Sequence, residues 1–394
     1  MKIVVGLSGG VDSSVTAHIL KEQGHEVIGI FMRNWNDASV TLEDECPWIE
    51  DSNDALMVAK KLKIPFHVID MSETYKKRIV DYMFDEYSKG RTPNPDILCN
   101  REIKFDAFMN IAISLGAEKV ATGHYAKISE IRQNNNILYR LLAGSDKNKD
   151  QSYFLCQLNQ EQLSKALFPI GDLTKEEVRK IAKKENLVTA DKKDSQGLCF
   201  IGKISLPEFL KQKLEPKNGK IVEIFRDFEK FHQEPPIFSS KYEELKYFSS
   251  KIKYNEEDGV VIGNHIGAQY YTIGQSKGLG IGGHKESCFV ISRDMDKNIL
   301  FVGEGHSFPG LFRKTIKINN DEVHWIRDDL KLKNEEKMDV MIRIRYRQSL
   351  QEAIIYQFSD AFYIEFKNPQ SALAEGQFAT WYKDEECLGS GVIS

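Results

Sequence analysis

Along the first two hundred residues, short apolar runs alternate with stretches of helical period. Lys2–Leu7 reads as a strand, and Asp12–Gln23 as a helix with Val15, Ile19 and Leu20 on one side. Glu26–Phe31 is a second strand, followed by a helix over Asn53–Lys63 that carries Ala55, Val58, Ala59 and Leu62. Phe66–Asp70 is a third strand, and a long helical pattern runs from Ser72 to Ser88. A helix around Phe105–Leu115 leads into a fourth strand at Lys119–Ala121. Strands separated by helices of this length predict an α/β domain built on a doubly wound parallel sheet. After about residue 205 the rhythm changes to short period-two runs at Gln269–Ile273, Cys288–Ser292, Ile299–Val302 and Ala353–Phe358. The predicted organisation is an α/β domain at 1–205, a small β-rich central domain at 206–285 and a second β-rich domain at 286–394. Arg226–Tyr254, charged and aromatic with two adjacent prolines, reads as a surface insertion or as a helix-containing excursion with a binding role.

Composition narrows the class. With 394 residues and 41% hydrophobic content the chain can bury a large core. No stretch approaches the roughly 20 apolar residues that cross a bilayer. The N-terminus reads as the first strand of the fold, not as a leader, so a cytoplasmic protein is expected. Six scattered cysteines without a C-x-x-C pair suit neither a disulfide scaffold nor a zinc site, and no metal ligand set is predicted. A net charge of −4 argues against diffuse nucleic-acid binding, so such a partner must meet a local basic surface.

The first candidate chemistry lies at the end of the first strand, in Gly6-Leu7-Ser8-Gly9-Gly10-Val11-Asp12-Ser13. A strand, a Gly/Ser turn and a helix N-terminus make an anion cradle, and Asp12 can cap the helix or reach Mg²⁺. The lysine of a P-loop is missing, so a grip on β- and γ-phosphates of that kind is not expected. The loop resembles the pyrophosphate loop of enzymes that split ATP between its α- and β-phosphates, which implies an adenylated product. In a doubly wound sheet ligands sit beyond the strand carboxyl ends. That places this loop, Met32 after the second strand and Thr122-Gly123-His124-Tyr125 after the fourth around one crevice.

Other segments carry reactive or nucleic-acid-binding character. Arg91–Asn100 contains two prolines flanking Asn94, an extended loop suited to presenting Asn94, Asp96 and Cys99. On residue type alone Cys99 reads as a buried small hydrophobe, but nearby cations and a helix N-terminus favour a thiolate. Cys199 follows two lysines, a polar turn and a glycine, a setting that suits a nucleophile or persulfide carrier. Asp146–Tyr153 is a dense polar loop, and His124 could meet a base or simply satisfy a carbonyl. Ile342–Gln348 alternates so that Arg343, Arg345 and Arg347 share one strand face, opposite phosphates or an acidic surface of the same protein.

The blocks SGGVDSSV, GRTPNPDILCNREIKF, ATGHYA, KDQSYFL, FPIGDLTKEEVR, KKDSQGLCFIG, YTIGQSKGLGIGG and RYRQ, in this order, resemble the tRNA-specific 2-thiouridylases. The resemblance runs from about residue 2 to the C-terminus, interrupted mainly at Arg226–Tyr254. It implies an ATP pyrophosphatase domain, a small central domain and a C-terminal β-barrel that contacts tRNA. It also implies thiolation of the wobble uridine in tRNAs for Lys, Glu and Gln. By position, Gly6, Leu7, Ser8, Gly9, Gly10, Val11, Asp12, Ser13, Met32 and Gly123 would hold ATP. Asn94, Pro95 and Asp96 would meet the target base, and His124, Lys149, Asp150, Gln151, Arg345, Tyr346 and Gln377 the tRNA. Cys199 matches the persulfide-bearing cysteine and Cys99 its partner. Ser276 departs from the arginine usual in the family's GQRKG run.

The chemistry implied is attack of the uracil O2 on the α-phosphate of ATP, with Mg²⁺, followed by sulfur transfer from a Cys199 persulfide, which attacks C2 directly or releases sulfide, and by departure of AMP. A transient Cys99–Cys199 disulfide would close the cycle. The sulfur donor would be a cysteine desulfurase or a relay protein, and a monomer is expected. Asp96, Cys99 and Cys199 holding an iron–sulfur cluster is the alternative. Two rival functions share part of the signal. An ATP pyrophosphatase acting on a small metabolite explains the first loop but neither the cysteine blocks nor the arginine strand, and a non-catalytic tRNA-binding or sulfur-carrier module would not need the nucleotide loop.

Overall fold

The protein is described from a computed structural model over residues 1–34, 47–133, 136–194 and 206–394. Five parallel strands form the first sheet: β1 (Lys2–Gly6), β2 (Glu26–Arg33), β3 (Phe66–Asp70), β4 (Lys119–Ala121) and a late addition at Ala166–Leu167. Their spatial order is β3-β2-β1-β4 with Ala166–Leu167 outermost, so the order reverses between β1 and β4. That reversal opens the crevice in which ligands of such sheets bind. Ile3, Val4 and Val5 are fully buried, as expected of a strand covered on both faces. The helices α1 (Val11–Glu22) and α2 (Pro47–Leu62) pack Val15, Leu20, Ala55, Val58 and Ala59 onto one face of this sheet. The predicted doubly wound domain is present, with α2 starting before the Asn53 expected.

Between β4 and Ala166–Leu167 the chain makes the hairpin β5 (Ala126–Gln133) and β6 (Asn136–Ala143). This hairpin leaves the first sheet and pairs with the last strand of the chain. With Ala166–Leu167 counted as β7, the central sheet contains β8 (Gly219–Glu223), β9 (Val260–His265), β10 (Cys288–Asp294) and β11 (Ile299–Glu304), in the order β10-β11-β8-β9. Strands on both sides of residue 285 therefore share one sheet, and a division there would cut β10 and β11 from β8. The Gln269–Ile273 run is not a strand; it forms a 3₁₀ turn at Ala268–Tyr270.

The third sheet is a barrel of antiparallel strands. It comprises β12 (Phe312–Asn319), β13 (Val323–Trp325), β14 (Lys337–Arg343), β15 (Gln351–Gln357), β16 (Ala361–Ser371), β17 (Phe378–Lys383) and β18 (Glu386–Val392). Its interior holds Ile316, Trp325, Ile342, Ile355, Phe362 and Trp381. The Ser394 amide donates to the Lys317 carbonyl at 3.1 Å, tying the chain end back to β12. The Arg226–Tyr254 excursion contains a helix at Lys241–Ser249 whose Leu245 packs on Tyr356 and Tyr363 of the barrel. Lys241 adds an ion pair to Glu365 at 2.9 Å. The insertion is thus a brace between units and not a free surface loop.

Candidate active site

The cradle at the end of β1 is shaped by close backbone approaches. Leu7 still donates its N–H to Ile30 at 2.9 Å, and its side chain and that of Val11 are core. Gly9 has φ +73°, and a Cβ there would lie 2.2 Å from the Asp51 carbonyl oxygen, so only glycine fits. Ser13 Oγ accepts the Ser8 amide at 3.1 Å and lies 3.2 Å from Ser8 Oγ. Gly10 is the N-cap of α1 and brings no side-chain cap. The first-turn N–H groups of a helix lack intrahelical partners, so this end retains donors and dipole for an anion. Gly123 lies against the backbone of Asp12 and Ser13, where a Cβ would come within 2.7 Å. Met32 lies inside β2, not after it, with its side chain buried near Gly6. These features fit the phosphates of a nucleotide.

Asp12 does not cap α1. Its carboxylate accepts both contacts of Lys175 Nζ at 2.8 Å and the Tyr125 hydroxyl at 2.7 Å. A Mg²⁺ ion at Asp12 would have to displace Lys175, so Asp12 does not fit a magnesium ligand in this conformation. Lys175 opens the Lys175–Lys184 helix, which is fixed by a capping box between Thr174 and Glu177. A cation at a helix N-terminus opposes the macrodipole, so this lysine is placed there for its partners and not for the helix. Lys175 also meets Asp194 at 2.8 Å, and Asp194 is gripped by Lys149 at 2.7 Å and Arg179 at 3.0 Å. Burial raises the Asp194 pKa, but the bonds from Lys149 and Lys175 outweigh it and hold the carboxyl well below its usual range. Burial, followed by the Asp12 charge, pushes the Tyr125 hydroxyl far up, so it stays a donor.

The Arg91–Asn100 segment is half loop and half helix. Asn94 is an N-cap, accepting from the Ile97 amide at 3.4 Å, and Pro95 is the first residue of a helix at Pro95–Leu98. The helix continues as a π-helical stretch over Cys99–Ala107, a geometry frequent at functional sites. Cys99 is therefore a fully buried helical residue and not part of an extended loop. The barrel holds this segment from the other side. Gln377 Nε2 donates to the Thr92 carbonyl at 2.8 Å and the Pro93 carbonyl at 3.2 Å, and Asn94 Nδ2 lies 3.5 Å from Gln377 Oε1. Arg91 pairs with Glu322 at 2.8 Å.

The polar loop after β6 is mostly internal. Asp150 is buried, accepting Gly144 and Ser152 amides at 3.1 and 3.0 Å and the Arg343 guanidinium at 2.9 Å. Gln151 Oε1 accepts the Tyr125 amide at 3.0 Å. His124 is also buried, its Nδ1 2.6 Å from Thr122 Oγ1 and its ring against Phe105 and Phe168. Burial, helped by the Lys104 charge, keeps His124 neutral. His124 and Asp150, expected as tRNA contacts, are thus interior residues here. Arg345 is exposed and donates to the Ser371 carbonyl at 3.3 Å, and Tyr346 reaches the Lys149 carbonyl at 3.3 Å. The three-arginine strand face is corrected, because β14 stops at Arg343 and the chain turns.

Cys199 lies outside the described residues, so neither its pairing with Cys99 nor the iron–sulfur alternative is assembled here. Asp194, five residues earlier, is described, and the ion chain Asp12–Lys175–Asp194 joins the stem of that segment to the nucleotide cradle. Sequence reasoning placed Tyr125 at the crevice without giving it a role, and it missed Lys175 and Asp194 as site residues. A lysine at the first position of a capped helix, in Leu173-Thr174-Lys175-Glu176-Glu177, was the available signal. Cys156 and Cys387 are buried core, as read for Cys156, and burial pushes the Cys156 thiol up to about 11. A cavity of about 620 Å³ lies apart from this site, beneath the 226–254 excursion, lined by Tyr247, Phe248, Lys251, Arg293 and Arg313. No residue predicted for the site lines it.

Comparison with known proteins gives three family matches along the chain. A tRNA methyl transferase HUP domain matches residues 1–203, a tRNA methyl transferase PRC-barrel domain 247–304, and an aminomethyltransferase beta-barrel domain 315–393. The tRNA-specific 2-thiouridylase MnmA of Flavobacterium johnsoniae is 61% identical over 100% of both chains. The protein of the same name from Christiangramia forsetii is 59% identical over 100% of both. That from Halalkalibacterium halodurans is 42% identical over 100% of this chain and 94% of its own.

Proposed function

The chain belongs to the tRNA-specific 2-thiouridylase family, and from that premise we propose that it replaces the O2 of the wobble uridine of tRNA with sulfur at the expense of ATP. The observation that carries the reading is the ion chain from Asp12 through Lys175 to Asp194. It ties the phosphate cradle to Asp194, five residues before Cys199 in the sequence, which supports adenylation and sulfur transfer sharing one site. The nucleotide phosphates would lie on the α1 N-terminus with the Ser8 and Ser13 hydroxyls, which stabilise charge as pyrophosphate leaves. Mg²⁺, when bound with ATP, supplies further neutralisation of that charge, and the roles given to the chain's own residues do not depend on it.

Asn94, Pro95 and Asp96, clamped by Gln377, would orient the uracil, and Arg345 and Tyr346 would meet the tRNA backbone. The uracil O2 attacks the α-phosphate and pyrophosphate departs, leaving AMP on the oxygen. A persulfide on Cys199, charged by a cysteine desulfurase or relay protein in the cytoplasm, then delivers its outer sulfur to C2 as AMP leaves. The Cys99 thiolate then attacks Cys199 Sγ, and the sulfur–sulfur bond breaks so that the outer sulfur stays on C2 as the thione. An external thiol reductant returns the resulting Cys99–Cys199 disulfide to two thiols; this puts opening of the buried Cys99 position into the cycle. Nucleoside mass spectrometry of tRNA, after incubation with ATP, Mg²⁺ and a persulfide source, tests this. Cys199→Ser is expected to abolish 2-thiouridine while AMP formation partly persists, and undiminished thiolation by that variant would overturn the scheme. Iron and sulfide content of anaerobically purified protein distinguishes the cluster alternative.

A further inference from the structure

The central sheet gathers a second set of reactive side chains, remote in sequence from the residues assigned above. Glu223 ends β8, Cys288 opens β10, and His284 follows a glycine-rich turn in which Gly278, Gly280 and Gly283 have positive φ. The pairing brings them together. Cys288 stands opposite Glu304 in the β10–β11 ladder, and Glu223 pairs with Val302 in the adjoining parallel ladder. The ligand atoms of Glu223, His284 and Cys288 all lie within 4.8 Å of one another. His284 Nε2 is 3.1 Å from Glu223 Oε2. Glu223 and Cys288 are 8% and 5% exposed, so the group is sheltered, while His284 is only half-buried and leaves an approach.

One oxygen, one imidazole nitrogen and one thiol converging from three segments form the donor set of a borderline-soft divalent ion. Two ligands of one zinc ion sit roughly 3.3–3.8 Å apart at bond lengths of about 2.0–2.3 Å. The His284–Glu223 pair, at 3.1 Å, is already near that separation, and the thiol lies within 4.8 Å of both ligand atoms. A thiol beside the Glu223 and Glu304 carboxylates is a poor place for a bare thiolate. A divalent cation reverses that local electrostatics. We propose that Glu223, His284 and Cys288 form a zinc-type metal site that pins the glycine-rich 278–283 turn to the central sheet. On binding, the Cys288 proton passes to solvent as the sulfur–metal bond forms, with no change of oxidation state. Water or Glu304 supplies the fourth position. Glu304 already accepts the Glu286 amide at 2.8 Å, which orients its carboxylate. The bland alternative is a His284–Glu223 ion pair beside an inert thiol.

The test uses the full-length protein with Cys99 and Cys199 changed to Ser, so that active-site thiols contribute nothing, stripped with a chelator and titrated with Co²⁺. About one Co²⁺ per chain is expected, with a thiolate-to-cobalt charge-transfer band that Zn²⁺ abolishes and Mg²⁺ does not. His284→Gln should weaken binding at least about tenfold, and Cys288→Ser should remove the band. Absence of the band, or its survival in Cys288→Ser, overturns the proposal. Cys288 is buried, and serine there has its own folding cost. Alkylation of the otherwise unaltered protein, read by peptide mass spectrometry, therefore asks the same question without substitution at the site. Zinc should protect Cys288 and chelation should expose it, whereas equal labelling with and without zinc sinks the site. Thiolation is assayed separately, so failure of the metal site leaves the enzymatic reading standing.

Discussion

At the scale of single residues, Arg343, Arg345 and Arg347 show how an alternating pattern can mislead. The period-two run is real, but a strand ends where its partners end. Ile342 pairs with Gln351 and Arg343 with Thr380, after which no ladder continues. The three guanidinia consequently have different tasks. Arg343 and Asp150 are only 11% and 2% exposed, so Arg343→Gln leaves a buried carboxylate without its cation. A loss of about 3–5 kcal/mol in urea unfolding is expected. Arg347 is exposed, and Arg347→Gln should alter stability by less than about 0.5 kcal/mol. If Arg347 faces tRNA phosphate, the same change weakens tRNA binding and lowers its salt slope by about 1. Equal stability of the two variants would show that the Asp150 pairing is not structural. The residue types of the site were legible in the sequence, whereas the Arg343–Asp150 and Lys175–Asp12 pairings were not, because each joins segments more than a hundred residues apart.

At the scale of elements, the parallel strands and their helices follow from apolar periodicity because both faces of that sheet are covered. The Arg91–Asn100 segment was harder to read, since two prolines suggest an extended loop throughout. Its own sequence nevertheless contains a helix start, with Asn at the N-cap and Pro at the first helical position. Asn94 thus has two assignments, cap and base contact, and two substitutions separate them. Asn94→Ala should cost about 1 kcal/mol by loss of the cap, and thiolation with it. Asn94→Asp keeps a capping oxygen but removes the amide that faces Gln377, so it should preserve the melting temperature while thiolation falls. Full thiolation by Asn94→Asp would confine Asn94 to capping. The Gln269–Ile273 run fails as a strand for a different reason. Gly267 with φ +141° and Gly274 with φ +84° bracket it in turns that no ladder can follow.

At the scale of the molecule, the nucleotide cradle and the barrel are far apart in sequence yet mechanically joined. The β5–β6 hairpin belongs to the N-terminal part of the chain but pairs with β18, so the barrel sheet is completed by it. The Arg91–Asn94 stretch is held by Glu322 and Gln377 of the barrel and, through the Gly90 carbonyl, by Arg293 of the central sheet. Asp150, fixed by Arg343, stands next to Gln151, which bonds Tyr125, whose hydroxyl bonds Asp12. A ligand that binds only the folded cradle should therefore stabilise the barrel as well. Trp325 and Trp381 lie in the barrel core, so their fluorescence reports that unit, although Trp35 and Trp48 also emit. Replacing Trp35 and Trp48 by Phe isolates the barrel signal. A non-hydrolysable ATP analogue at 100 times its Kd should then raise barrel stability by up to about 2.7 kcal/mol. Combining Arg91→Ala with Gln377→Ala should reduce that gain without abolishing nucleotide binding. A barrel transition indifferent to nucleotide would mean that the three sheets unfold independently, and that the barrel's grip on Thr92 and Pro93 carries no coupling to the cradle.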